Sequence, residues 1–162
     1  MAKKMYFYQK NMHEAFDITT QSRKVLENYL QNYSLEQLNK VPDGFNNNLI
    51  WNIAHIIVVQ QLLVYKLSGL PTMVSDEMIS KYQKGTRPES DVTQKEVDKI
   101  KGLLFETINQ TKTDFENQIF KNYHQFTNNQ GFTIRNAEGA IAYNYYHEAM
   151  HLGMMMSIKK FL

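Results

Sequence analysis

The sequence predicts an all-α fold, a four-helix bundle of the kind with long crossover connections and one or two short extra helices. Three observations predict it. Only 3 Pro and 7 Gly interrupt 162 residues, so helices can run long between breaking residues. Apolar residues recur at spacings of three and four over four long stretches, which is the period of a helix face. No stretch alternates long enough to make a strand, residues 131–134 being the nearest approach. Four amphipathic helices bury their apolar stripes against one another, and a chain of 162 residues is expected to do so as a single domain, residues 1–162.

The first helix is expected from about Lys10 to Asn32, with Met12, Phe16, Thr19, Leu26, Leu30 and Tyr33 close to one stripe. Ser34-Leu35-Glu36-Gln37 reads as a capping box, in which the serine and the residue three later satisfy each other's free amides. It opens a short helix that ends before Pro42. A turn at Pro42-Asp43-Gly44 and the run Asn46-Asn47-Asn48 lead into the second long helix, since asparagine accepts from the first free amides of a helix. That helix ends near Gly69 and Pro71. Residues 73–91 read as a connection with one short helix near Ser75 to Tyr82, broken by Gly85 and Pro88. Thr93-Gln94-Lys95-Glu96 is a second capping box and starts the third long helix, whose Val97, Ile100, Leu104, Ile108, Thr111 and Phe115 share a face. Residues 120–133, aromatic and rich in Asn, are expected to be a loop, and a last helix runs from about Ile134 to Phe161.

Composition narrows the chemistry. The chain has no cysteine, which removes thiolate zinc sites, iron–sulfur clusters, cysteine nucleophiles and disulfides. A net charge of +2 from 18 basic and 16 acidic residues, with the signs interleaved, argues against a nucleic-acid surface. The N-terminal residues lack the apolar stretch of about 7–15 residues that a secretory signal needs. The most apolar segment, Leu49 to Tyr65, contains Asn52, His55, Gln60 and Gln61 and falls short of the ~20 residues that cross a bilayer. It is expected to be a core helix, with no membrane partner and a cytoplasmic location.

The last helix carries His147-Glu148-Ala149-Met150-His151, a His-Glu-x-x-His arrangement whose imidazoles lie one turn apart and can reach one ion. A zinc protease with Glu148 as base is the first reading, and the sequence argues against it. Only residues 152–162 follow His151, and none of them is His, Asp or Glu; the extended motif of one protease class would need Gly and His where Met154 and Ser157 stand. A third ligand is available upstream. His55 shares a stripe with Trp51, Val58, Val59 and Leu62, and Ala140, Asn144, His147, His151, Met154 or Met155, and Ile158 form a matching stripe on the last helix. Facing helices of a bundle project ligands toward each other, so His55, His147 and His151 can converge on one ion with coordination positions left open. The plainer alternative is that each is a core histidine bonded to a neighbour. Three buried imidazoles without partners would cost roughly 1–3 kcal/mol apiece, a penalty that a metal removes. Glu148, rotated about 100° from His147, is expected to flank the site or to form an ion pair. His13 reads as a solvated residue near a helix start, His124 as a loop residue, and Met154-Met155-Met156 as packing.

Trp51-Asn52-Ile53-Ala54-His55-Ile56 and His147-Glu148-Ala149-Met150-His151-Leu152-Gly153, in this order and separation, resemble the "W-x-x-x-H-I" and "H-x-x-x-H-x-G" motifs of the DinB/YfiT-like superfamily of metal-binding four-helix bundles. The resemblance covers nearly the whole chain. It implies that His55, His147 and His151 bind a divalent transition metal, with zinc or nickel first among candidates, and that the protein forms a homodimer. It further implies a small-molecule substrate and a low-molecular-weight thiol of the bacillithiol, mycothiol or glutathione type. Many members continue "H-x-G-Q"; here Met154 follows Gly153, which changes the pocket without touching the ligands. Two functions follow as expectations: a metal-dependent S-transferase or hydrolase, and a metal-binding or stress-response bundle without turnover. A dimerising helical scaffold that uses none of the histidines is a third.

Overall fold

The computed structural model describes the backbone of residues 2–162 and the side chains of residues 12–162. In chain order the helices are α1 (Ala2–Asn32), the short α2 (Leu35–Asn39), α3 (Leu49–Val64), the short α4 (Asp76–Tyr82), α5 (Gln94–Glu116) and α6 (Ala137–Ile158). Helix α3 packs on α6, α6 on α1, α1 on α5 and α5 on α3, so the four long helices close a ring with α1 opposite α3 and α5 opposite α6. The helices joined through α2, and those joined through residues 117–136, are thus diagonal partners. This is the crossover arrangement expected of the connections.

Local chemistry sets the helix boundaries. Ser34 and Gln37 form both halves of the capping box at 3.2 and 3.0 Å. Asn48 caps α3 by accepting from the amide of Trp51 at 2.9 Å, while its amide nitrogen holds the Asn39 carbonyl at 2.7 Å. The box at Thr93 is only half made. Thr93 accepts from the Glu96 amide at 3.3 Å, but the Glu96 carboxylate is drawn instead to Lys81 and Tyr82 of α4, because an ammonium is the stronger donor. The last helix begins at Ala137 rather than Ile134, since Asn136 caps it through the Gly139 amide at 2.8 Å. Ile134, expected as the first residue of the last helix, closes a two-stranded antiparallel hairpin, Phe126–Thr127 with Thr133–Ile134, whose other strand residues lie in the segment expected to be loop. Asn128 folds the turn between these strands by accepting from the amides of Gln130 and Phe132. Within the stretch Leu49–Ser68, 83% of the most apolar 18-residue window is buried inside the bundle, so its hydrophobicity is used for the core.

That core has two apolar clusters. One contains Leu26, Ile53, Ile57, Leu104, Met155 and Ile158, the other Met12, Phe16, Leu63, Val64, Ile108 and Ile141. Between them every long helix contributes buried polar residues: Thr19 and Arg23 from α1, Gln60 and Gln61 from α3, Thr107 and Thr111 from α5, and Asn144, His147 and Glu148 from α6. Hydrogen bonds connect this layer. Gln61 donates to Gln60 at 2.8 Å, Gln60 to Thr111 at 2.8 Å, and Arg23 to Thr107 at 2.7 Å. A polar layer of this kind is stable only where its members satisfy one another, and it is where the histidines lie.

Candidate metal centre

Helices α3 and α6 bring His55, His147 and His151 together, each offering one ring nitrogen within 4.8 Å of the others. No other group of three His, Asp or Glu side chains with this geometry occurs among the described residues. His55 is 4% exposed and His147 8%; His151 is part-buried. The indole of Trp51 stacks on the His55 ring at 4.6 Å and 14° and donates to Thr86 at 3.2 Å, which clamps one wall of the site. Tyr143, one turn before His147, lies nearly parallel to its ring at 6.2 Å.

Hydrogen bonds decide which nitrogens face inward. The Tyr82 carbonyl, at the end of α4, lies 2.6 Å from His55 Nδ1. A carbonyl only accepts, so Nδ1 carries the proton and Nε2 keeps its lone pair. His151 Nδ1 is likewise occupied, by Asn52 Oδ1 at 2.8 Å. The Nε2 atoms of His147 and His151 face each other at 3.2 Å. Ligand nitrogens roughly 2.0–2.1 Å from a tetrahedral zinc ion are about 3.3 Å apart, so this pair already has the spacing of two ligands on one ion.

Electrostatics favours the same state. Burial, and then the neighbouring His55, push His147 down to about 4. Burial, followed by His147 and His55, pushes His151 down to about 3. His55 is also lowered by burial, which outweighs the raising effect of its bond to Tyr82. All three imidazoles are therefore neutral at pH 7, the form that ligates. The donor set fits a divalent transition ion, and these residues can hold one. A penalty for unpartnered imidazoles is a weaker argument than the sequence suggests, because Tyr82 and Asn52 already serve two of the three rings. His147 Nδ1 alone is a buried ring nitrogen without a hydrogen-bond partner.

Glu148 forms an ion pair. Its side chain and that of Arg23 are both fully buried, with Glu148 Oε1 at 3.0 Å from Arg23 Nη2 and 3.2 Å from Nε, and Asn144 donates to the same oxygen at 2.8 Å. Arg23 Nη1 is anchored by the Leu104 carbonyl at 2.6 Å and by Thr107. A carboxylate held this way is not placed to take a proton from water, which removes the residue that a His-Glu-x-x-His protease would need as base.

The match to known families agrees with this geometry. The family model of the DinB superfamily matches residues 18–155. The chain belongs to the DinB superfamily. Comparison with curated proteins returned no match. Within this DinB-type bundle His13 and His124 are exposed and take no part in the cluster. Three residues that shape the site were not found by sequence reasoning. Arg23 had a signal: it falls between Thr19 and Leu26 at spacings of four and three, on the stripe itself. Asn52 stood out only as a polar residue in an apolar helix. The Tyr82 carbonyl, a backbone group brought in by α4, had no signal.

Proposed function

We propose that this DinB-superfamily protein is a metal-dependent enzyme that joins a low-molecular-weight thiol of the bacillithiol type to a small electrophilic substrate, working in the cytoplasm. His55, His147 and His151 are its proposed ligands, and zinc or nickel its proposed metal. The observation that carries this reading is the convergence of three neutral imidazoles from α3 and α6, two of them with Nδ1 already bonded. A divalent ion held there supplies Lewis acidity, lowering the pKa of a thiol, or of water in a hydrolase, to give a nucleophile at neutral pH. The chain's own part is to hold the ligands neutral, to fix the rings of His55 and His151, and to wall the site with Trp51 and Tyr143. With no cysteine in the chain, the reactive sulfur arrives with the cosubstrate.

The test is metal analysis of untagged protein followed by thiol-transfer assays against a panel of electrophiles. Stoichiometric metal with transfer abolished in His55→Ala is the expected result. Protein that is folded and binds no divalent ion overturns it.

A second reading, a metal-binding bundle without turnover, is favoured by one observation. A cavity of about 560 Å³ lies between α4 and α5, lined by Met78, Lys81, Tyr82, Glu96 and Lys99 and by none of the histidines. In that case metal removal lowers the melting temperature and no thiol or ester substrate turns over. We also propose a homodimer built on α1 and α6, where Val25 and Met156 are 41% and 50% exposed beside a groove that includes Leu152 and Tyr29. Light scattering at micromolar concentration checks it, and a monomer rejects it.

A further inference from the structure

We propose that Asn52 is the positioning residue of this centre: it fixes the His151 proton on Nδ1 and so turns the Nε2 lone pair toward the ion. The role as ligand-positioning residue rests on the metal reading above, whereas the proton placement stands without it.

Two contacts fix which way the Asn52 amide points. Its side chain is fully buried, and its nitrogen lies 2.7 Å from the Asn48 carbonyl and 3.0 Å from Asn47 Oδ1. The Asn48 carbonyl can only accept, so the atom facing it must be the NH₂ group. The opposite atom, Oδ1, is thereby an acceptor directed at His151 Nδ1, 2.8 Å away. An acceptor at that distance requires a proton on Nδ1. A neutral imidazole carries only one, so Nε2 of His151 is left as a lone pair 3.2 Å from His147 Nε2.

The chain of constraint continues outward. Asn48 is held by its own cap bond to Trp51 and its bond to the Asn39 carbonyl, so the group that orients Asn52 is itself fixed. The run Asn46-Asn47-Asn48, which the sequence presents as a helix start, thus supplies through Asn47 and Asn48 the two acceptors that orient a buried amide. Residues that hold a ligating histidine in one tautomer typically affect metal affinity by about 10–100-fold.

The experiment uses the metal-free full chain with ¹⁵N-labelled histidine. Long-range ¹⁵N–¹H couplings report which ring nitrogen of His151 carries the proton, a readout that a merely structural role for Asn52 would not move. The expected result is Nδ1–H in the wild type. In Asn52→Leu, which keeps the branched skeleton without polar atoms, the proton should spread to Nε2, and zinc should bind about 10–100-fold more weakly. A wild-type proton on Nε2 overturns the proposal without any variant. So does an Asn52→Leu protein whose tautomer and zinc affinity are both unchanged. Should Asn52→Leu fail to fold, Asn47→Ala removes one of the two acceptors at a part-buried position and should weaken zinc severalfold; no change there also overturns it. A wild type that shows Nδ1–H but binds no zinc leaves the proton placement standing and sinks the metal centre instead.

Discussion

Replacing Glu148 by Gln separates an ion-pairing glutamate from a catalytic one. Among the described residues Glu148 is the only carboxylate bonded to Arg23, and both side chains are completely buried. Glu148→Gln keeps the shape and an acceptor oxygen but leaves a guanidinium uncompensated in the core. Breaking a buried pair from one side costs about 3–5 kcal/mol, because desolvation of the remaining charge is no longer offset. For a chain of this size each kcal/mol lowers Tm by about 2–4 °C, so a drop of roughly 6–20 °C is expected. Arg23→Met should cost a similar amount. The double variant Arg23→Met with Glu148→Gln removes both charges and should be less destabilised than the sum of the two single changes, by about 2 kcal/mol or more. Recovery will be incomplete, since the Leu104 carbonyl and Thr107 lose Arg23 as a partner at about 1–3 kcal/mol for each group left unsatisfied. Urea unfolding followed by circular dichroism gives all three values. Single-variant losses below about 1 kcal/mol, or strict additivity, would refute the buried-pair account. A stable, folded and inactive Glu148→Gln would restore the protease-type role for this residue.

Three further outcomes follow from the same structure. Because His147 and His151 titrate at about 4 and 3 in the fold against about 6.5 unfolded, the unfolded chain binds more protons between those values. Metal-free stability should thus be fully present above pH 6.5 and fall as the pH drops toward 4 and 3, by up to about 1.4 kcal/mol per pH unit for each histidine; a triple His→Gln variant with the same slope would contradict this. Trp51, the one tryptophan, stacks on His55, so Co²⁺ or Ni²⁺ should quench its fluorescence and saturate at one ion per chain, while zinc should not; an unchanged spectrum on Ni²⁺ addition speaks against the site. Asn48→Ala removes the α3 cap and the bond to Asn39 and should cost about 1–2 kcal/mol, together with weaker zinc binding; a change within 0.5 kcal/mol would show that neither bond matters.

The sequence by itself determined the class of the fold, the long helices apart from the starts of α1 and α6, which lie at Ala2 rather than Lys10 and at Ala137 rather than Ile134, and the cluster of three histidines. It could do so because these depend on local chemistry and on one-dimensional spacing. A stripe at threes and fours has to face a core, a serine three residues before a glutamine has to cap, and histidines four apart have to share a face. The same spacing already contained Arg23, whose place on the α1 stripe passed unnoticed because arginine is expected at a surface.

Other features depend on partners far apart in the chain. Glu96 left its capping box for Lys81 and Tyr82 once α4 was packed beside α5. Ile134 joined a hairpin because Phe126 became its neighbour. The partner of Glu148, 125 positions away on α1, and the carbonyl that fixes His55 both arise from how helices pack. Asn52 could be recognised as polar in an apolar helix, but the direction of its amide required the Asn48 carbonyl and the His151 ring in space. Tertiary structure alone decided which nitrogen of the His55 and His151 rings is free, because a proton's place on imidazole is set by the acceptor that folding brings within hydrogen-bonding distance.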